Sequence, residues 1–299
     1  LVFYLTMEAF RKVHPEHRVF LQWDQMSKRE QKIQIEDIAE TYIAYAEKYH
    51  HSAIFVQIDT GDMRYFDRTV RILDEIRNQS GDKYYTMVHG DPTFAIPTGD
   101  DMVEFAARLY EEEDEMKAIA QERVDHFKRF AEKMARYEGL LDGFTLCSDY
   151  CFNTNPFFSP DLFAEYITPY LKEILDAYKS MGFYTIKHTD GNIMPILDQM
   201  VECGPHALHS LDPQGGVSLK QVKEMVGDKV ALCGNVNCGL LQTGTIEECE
   251  ADVRRSLREG MPGYGYIFCT SNCVYTGLSL ERYERMNKIW WEEGIYPEV

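Results

Sequence analysis

Two periods of hydrophobic patterning alternate along this chain. Short runs of β-branched, aromatic and aliphatic residues end in a polar or acidic residue. Each is followed by a longer stretch with apolar residues three or four positions apart. The short runs predict strands and the longer stretches amphipathic helices. Strand one is expected over Arg18–Trp23, closing on Asp24, and strand two over Ala53–Ile58, closing on Asp59. Strand three is Tyr84–Val88, before His89-Gly-Asp-Pro-Thr93, and strand four is Gly143–Cys147, before Ser148-Asp149-Tyr150. Strand five starts at Tyr184 and carries His188. Ala207–Leu211, Lys229–Cys233 and Gly265–Cys269 are strands six, seven and eight.

A short helix is expected over Phe3–Val13. Longer ones follow over Glu30–Tyr49, Tyr65–Ile76, Asp100–Tyr137 with a break, Ser159 to about Ser180, Ile193–Cys203, Leu219–Val226, Thr245–Glu259 and Leu280–Trp291. Ser159-Pro160-Asp161 supplies an N-cap, a proline at the first helical position and an acid in the first turn. Thr245 and Glu248 have capping-box spacing. Eight strands alternating with helices, and no long linker, predict a single-domain (β/α)8 TIM barrel over residues 1–299. A doubly wound open sheet is the competitor, but the chain lacks its Gly-rich phosphate turn.

Composition narrows the partners. Hydrophobic residues make up 44% of the 299, enough for a full core, and 49 acidic against 31 basic residues give a formal net charge of -18. Without a Lys/Arg cluster, a nucleic-acid surface is not expected. Runs such as Glu111–Glu115 read as solvated helix surface. No apolar run approaches the roughly 18–20 residues of a membrane span. Leu1–Leu5 is too short and lacks the basic flank of a signal peptide, although the chain does not begin with Met and residues could precede it. Several of the eight cysteines fall in strand-like runs, which reads as a reducing cytoplasm rather than a disulfide framework.

The chemistry collects where the predicted strands end: Asp24, Asp59, His89 with Asp91, Asp149, His188 with Asp190, Asp212, Asn235 with Asn237, and Asn272 with Cys273. In a barrel those ends share one mouth. Asp91, Asn192 and Asn235 read as turn formers or caps. His188 and Asp190, two apart, point to one side of an extended segment. A structural His–Asp hydrogen bond would explain them as well as a metal would. With Asp212 and Cys273 they make an imidazole, carboxylate and thiolate set suited to Zn²⁺. Trp23, His89, Phe94 and Asn237 are the candidate contacts to a small-molecule substrate, and Asp59, Asp149, Tyr150 and His188 the candidate catalytic groups.

The order of motifs resembles the uroporphyrinogen decarboxylase superfamily: Gly90-Asp-Pro-Thr-Phe-Ala95, Ser159-Pro-Asp-Leu-Phe163, Pro169-Tyr-Leu-Lys172, His188-Thr-Asp-Gly-Asn192, Leu211-Asp-Pro213, Gly234-Asn-Val-Asn237 and the Gly263–Cys273 segment. The resemblance implies a barrel with its active site at the C-terminal mouth. It also implies one of two chemistries. The decarboxylase proper has an Arg-rich N-terminal motif and a late His; this chain reads Arg18-Val-Phe-Leu-Gln-Trp-Asp24 and Ser271-Asn-Cys273 there, while Asp59 lies near the family's catalytic Asp. The zinc- and corrinoid-dependent methyltransferases hold zinc with a His-x-Cys pair and a later Cys. Here His188 matches, Asp190 replaces the first Cys, and Cys273 matches with the last loop shifted by one residue. The expectation is methyl transfer between a small methoxy or methylamine compound, or a thiol, and a cobalamin-bearing corrinoid protein. Decarboxylation of uroporphyrinogen in porphyrin metabolism is the alternative, and a barrel that only binds a tetrapyrrole is a third reading. The chain could also pair with itself as a homodimer.

Overall fold

The computed structural model describes residues 2–18, 22–57 and 61–296. Seven parallel strands lie in sequence order: β1 (Ala53–Val56), β2 (Tyr85–His89), β3 (Gly143–Leu146), β4 (Tyr184–Thr189), β5 (Ala207–Ser210), β6 (Ala231–Val236) and β7 (Tyr266–Thr270). Helices follow them: α1 (Thr6–Phe10) and α2 (Lys28–Lys48) precede β1, α3 (Phe66–Ser80) follows it, and α4 (Asp101–Glu111) and α5 (Glu113–Met134) lie between β2 and β3. Then come α6 (Pro160–Tyr166), α7 (Thr168–Ser180), α8 (Leu197–Glu202), α9 (Leu219–Val226), α10 (Cys238–Thr243), α11 (Ile246–Gly260) and α12 (Leu280–Glu293). This is a parallel α/β sheet of TIM-barrel type, with seven rather than eight strands among the described residues.

The main core lies between sheet and helices. On α3, Phe66, Thr69, Ile72, Leu73 and Ile76 recur at helical spacing and are all buried. Each apolar side chain so buried contributes roughly 1.5–3 kcal/mol. The capping signals act as read: Ser159 accepts from Leu162 N–H, with Pro160 opening α6, and Thr245 and Glu248 form a capping box on α11. Ser27 and Glu30 make another on α2. The long acidic region breaks at Glu112, whose backbone leaves the helical range. A second, smaller cluster of Val2, Phe55 and Met87, with Tyr85, Cys147, Ile186 and Cys273 around it, fills the concave side of the sheet. Two cores on opposite faces are what a curled parallel sheet requires.

Several expectations need correction. The expected first strand, Arg18–Trp23, has its middle at residues 19–21, which lie outside the described residues; Arg18 ends a 3-10 turn (Pro15–Arg18) and Trp23 starts another (Trp23–Gln25). The helix expected over Phe3–Val13 forms only as α1 (Thr6–Phe10); Phe3 and Tyr4 before it run instead beside Val274, past the end of β7. Tyr4 N–H donates to Val274 O (2.8 Å) and Val274 N–H to Val2 O (2.9 Å), and Tyr4 Oη reaches Gln57 Oε1 at 3.1 Å beyond β1. Strand β6 also runs to Val236, three residues past its expected end. Asn235 is therefore no turn former: its Nδ2 donates to Leu211 O at 2.7 Å, and its Oδ1 accepts from Arg255.

Candidate metal centre

Side chains alternate along β4. Thr185, Lys187 and Thr189 are buried toward the helices, whereas Ile186 and His188 face the concave side. The chain turns at Gly191, whose φ of +79° and contact with the Phe152 carbonyl (an added Cβ would lie 2.5 Å from it) admit only glycine. That turn leaves Asp190 beside His188. The exit of β3 delivers Asp149 to the same place. His188 Nε2 stands 3.5 Å from Asp149 Oδ1 and 3.8 Å from Asp190 Oδ1. One ligand atom from each of these residues lies within 4.8 Å of the other two, the one such group among the described residues.

The hydrogen bonds fix which way the imidazole is loaded. His209 Nε2 meets the Thr270 carbonyl at 3.0 Å, so that nitrogen carries the proton. Burial first, and then His188, hold the His209 pKa well below its usual value, so the ring is neutral and its Nδ1 is bare. His188 Nδ1 lies 2.7 Å from that atom and must donate to it. His188 Nε2 is left with a lone pair directed at two carboxylates. Burial takes the His188 pKa down to about 4, so the ring does not neutralise them at neutral pH. Asp190 is pushed up to about 7 by burial, with Asp149 and Asp212 adding to it. Its Oδ2 accepts from Asn272 Nδ2, while its buried Oδ1 has no partner.

Three lone-pair donors facing one another need a proton or a cation between them. Ligand bonds of ~2.1 Å at a tetrahedral angle put ligand atoms roughly 3.4 Å apart, close to the observed spacing. The residues therefore fit a divalent ion bound by one nitrogen and two oxygens, with coordination positions left open. The second ring nitrogen of His188, held by another side chain, is the usual outer support of a ligating histidine.

The structure places the other candidates as follows. Asp212 does not join the group: it caps the turn at Pro213–Gly215, accepting from Gln214 N–H (2.9 Å), and its second oxygen accepts from Gly191 N–H (3.3 Å). Cys273 also stands outside it, packed beside Val2, Phe55 and Met87, its thiol pushed up to about 12 by burial and neighbouring charges. Tyr150 is fully buried, its hydroxyl 2.6 Å from Thr93 Oγ1 and its ring under Lys187 Nζ, so it does not face the mouth. Phe94 and Trp23 belong to the core; Phe94 packs edge-on to Phe105, and Trp23 lies beneath the guanidinium groups of Arg68 and Arg71. Asn237 caps α10 by accepting from Gly239 N–H. His89 ends β2 half-buried, near enough to His188 to influence its charge. Asp59 lies outside the described residues.

Two roles at this site were not read from the sequence. Asp149 was read as an acid–base group rather than a ligand. His209 was read only as part of a strand, although position 209 pairs with His188 in the β4–β5 register.

Fold and site together describe a barrel-type α/β protein with a metal-type cluster at its strand ends. Residues 94–290 match the family model for uroporphyrinogen decarboxylase (URO-D), and the chain belongs to that family. No curated protein matches the sequence. Among solved structures, a methyltransferase from Methanosarcina mazei is similar with a TM-score of 0.74 at 16% identity, covering 99% of this chain and 92% of that one. That likeness shows the fold. A type I 3-dehydroquinate dehydratase from Clostridium difficile (TM-score 0.41, 12% identity, 85% and 88% covered) and a GH30 endoxylanase from Clostridium papyrosolvens (0.44, 10%, 85% and 67%) are too different in shape to bear on the chemistry.

Proposed function

We propose that this chain is a zinc-dependent methyltransferase, moving a methyl group between a small methoxy or methylamine compound, or a thiol, and a corrinoid protein. The observation that carries the reading is the group Asp149, His188 and Asp190, with the His188 Nε2 lone pair held toward two carboxylates. The family match and the likeness to a methyltransferase support it. When bound, the ion supplies Lewis acidity toward the atom that carries the methyl group. Two carboxylates in place of thiolates leave that acidity stronger, which suits an oxygen- or nitrogen-bound methyl better than a soft sulfur. The protein's own part is orientation. His209 sets the His188 tautomer, Asn272 turns Asp190, and Asp149, its side chain 47% exposed, faces incoming substrate. Tyr150 has no direct part, because its hydroxyl is committed to Thr93.

The alternative, decarboxylation of uroporphyrinogen, is favoured by the family name alone. A polyanionic substrate needs cationic anchors, and the side chains that meet here (His89, Asp149, His188 and Asp190) include no Lys or Arg.

Zinc bound per chain, measured on wild type and His188→Ala, together with methylation of cobalamin followed by absorbance, tests the reading. About one zinc in the wild type, lost in the variant, and methyl transfer that depends on it are expected. A wild-type protein that takes up no divalent metal, or that converts uroporphyrinogen to coproporphyrinogen without one, would overturn it.

A further inference from the structure

The strand that presents His188 inward also sends a lysine the other way. Lys187 enters the layer between sheet and helices, where its side chain and that of Asp91 are both 0% exposed and Nζ lies 2.8 Å from Asp91 Oδ2. Dehydrating two charges cancels much of their attraction, so a well-packed apolar pair would stabilise the fold as well or better. The reason for the pair lies in what else it holds. Asp91 Oδ2 accepts from Ser148 N–H at 2.8 Å, and Lys187 Nζ donates to Ser148 O at 2.8 Å. Residue 148 is thus gripped at both its backbone N–H and its carbonyl. Ser148 Oγ donates to Thr93 O (3.1 Å), and Asp91 Oδ1 accepts from Thr93 N–H and Oγ1. Two residues on, Tyr150 N–H donates to Thr189 Oγ1 at 2.9 Å.

Asp149 stands between these two anchored residues. The β3–β4 ladder ends at Leu146 and Lys187, so strand pairing does not fix Asp149 against His188 and Asp190. The side-chain clasps take over where the ladder stops, and Asp149 Oδ1 accepts from Asp190 N–H at 3.1 Å.

We propose that Lys187 and Asp91 are positioning residues for the candidate metal centre, clamping the exit of β3 to the exit of β4 so that Asp149 stays within ligand range of His188 and Asp190. Its consequence for metal binding rests on the function proposed above; the clamp itself is a geometric claim with its own readout.

The test uses the whole chain carrying Lys187→Met and Asp91→Asn together, which leaves no buried charge without its partner. In metal-free protein, amide exchange at Tyr150 and Asp190 is expected to speed up about tenfold or more, while Leu232 and Cys233 in β6 keep their wild-type rates. Titration with Co²⁺, followed by visible absorption, is expected to show binding weakened about tenfold or more and an altered spectrum. A general loss of stability would not change the spectrum of the bound ion. Thr189→Val removes the clasp on Tyr150 and the hydroxyl's longer bond to the Asp190 carbonyl (3.3 Å) while leaving Lys187 paired with Asp91, and should move the same readouts by a smaller factor; it decides the matter if the double variant does not fold. Unchanged exchange at both amides overturns the proposal, as does faster exchange with an unchanged Co²⁺ affinity and spectrum. If the wild type takes up no Co²⁺, the metal reading fails, and exchange alone decides the clamp.

Discussion

Asp91 and Asp190 belong to the exits of β2 and β4, and both are largely withdrawn from water, yet they end in opposite states. Burial works against charge on each. At Asp91 the Lys187 ammonium, with the Thr93 and Ser148 hydrogen bonds, outweighs burial and holds the carboxyl below the ordinary carboxylate range. At Asp190 burial and Asp149, with Asp212 adding to them, outweigh the opposing pull of the Ser210 hydroxyl, and the carboxyl rises to about 7. The difference is the source of positive charge. One cluster carries its cation inside the chain; the other leaves the place for a proton or a metal. A buried acid therefore points to an external ligand only when its counter-charge is missing.

The largest expected effect breaks the satisfied cluster. Lys187→Met alone strands the Asp91 charge, and urea unfolding should show a loss of roughly 3–5 kcal/mol. A loss below about 1 kcal/mol would mean that the pair is not the deciding difference. Asp190→Asn acts on the other cluster with the opposite sign for stability and a loss for binding. Metal affinity by calorimetry should fall on the order of 100-fold, each tenfold being about 1.4 kcal/mol. Metal-free Asp190→Asn should be more stable than wild type. The folded pKa of this acid is raised, so the folded state holds more protons than the unfolded one between the ordinary carboxylate value of 3.8 and about 7. The wild type thus loses stability as pH rises through that window, and the advantage of the variant should be full above it and vanish near its lower limit. An advantage independent of pH would contradict the assignment. His209→Phe removes the acceptor that fixes His188 and should weaken metal binding about 10–100-fold with little change in fold, read from the same titration. Cys273→Ser should change affinity by less than about threefold, since a protonated thiol outside the group is no ligand; a larger drop would restore Cys273 to the site.

Much of the fold was legible because parallel strands buried on both faces read as apolar runs, and helices as stripes. The seven strands from Ala53 onward were recognisable on that basis. The middle of the expected strand over Arg18–Trp23 falls outside the described residues. Within the site, the two-residue spacing of His188 and Asp190 gave their common direction correctly. The same spacing rule, applied one residue earlier, sends Lys187 into the layer between sheet and helices, where a charge must have a partner. That signal was present in the sequence. Its partner was not visible, because Asp91 is 96 positions away and sits in a Gly-Asp-Pro-Thr segment with every mark of a turn. Asp212 and Asn237 show the converse: at a strand end, a capping side chain and a ligating one have the same residue type, and only geometry separates them.

The strip Val2–Tyr4 has a mechanical consequence. Among the described residues, strands β1 and β7 do not pair with each other, and the backbone bonds between this strip and Val274 are two, against continuous ladders elsewhere. A wall with such a seam yields there first, as a barrel stave would with a single nail. Amide exchange is therefore expected to be faster at Tyr4 and Val274 than in β3 and β4, whose exits carry the candidate ligands.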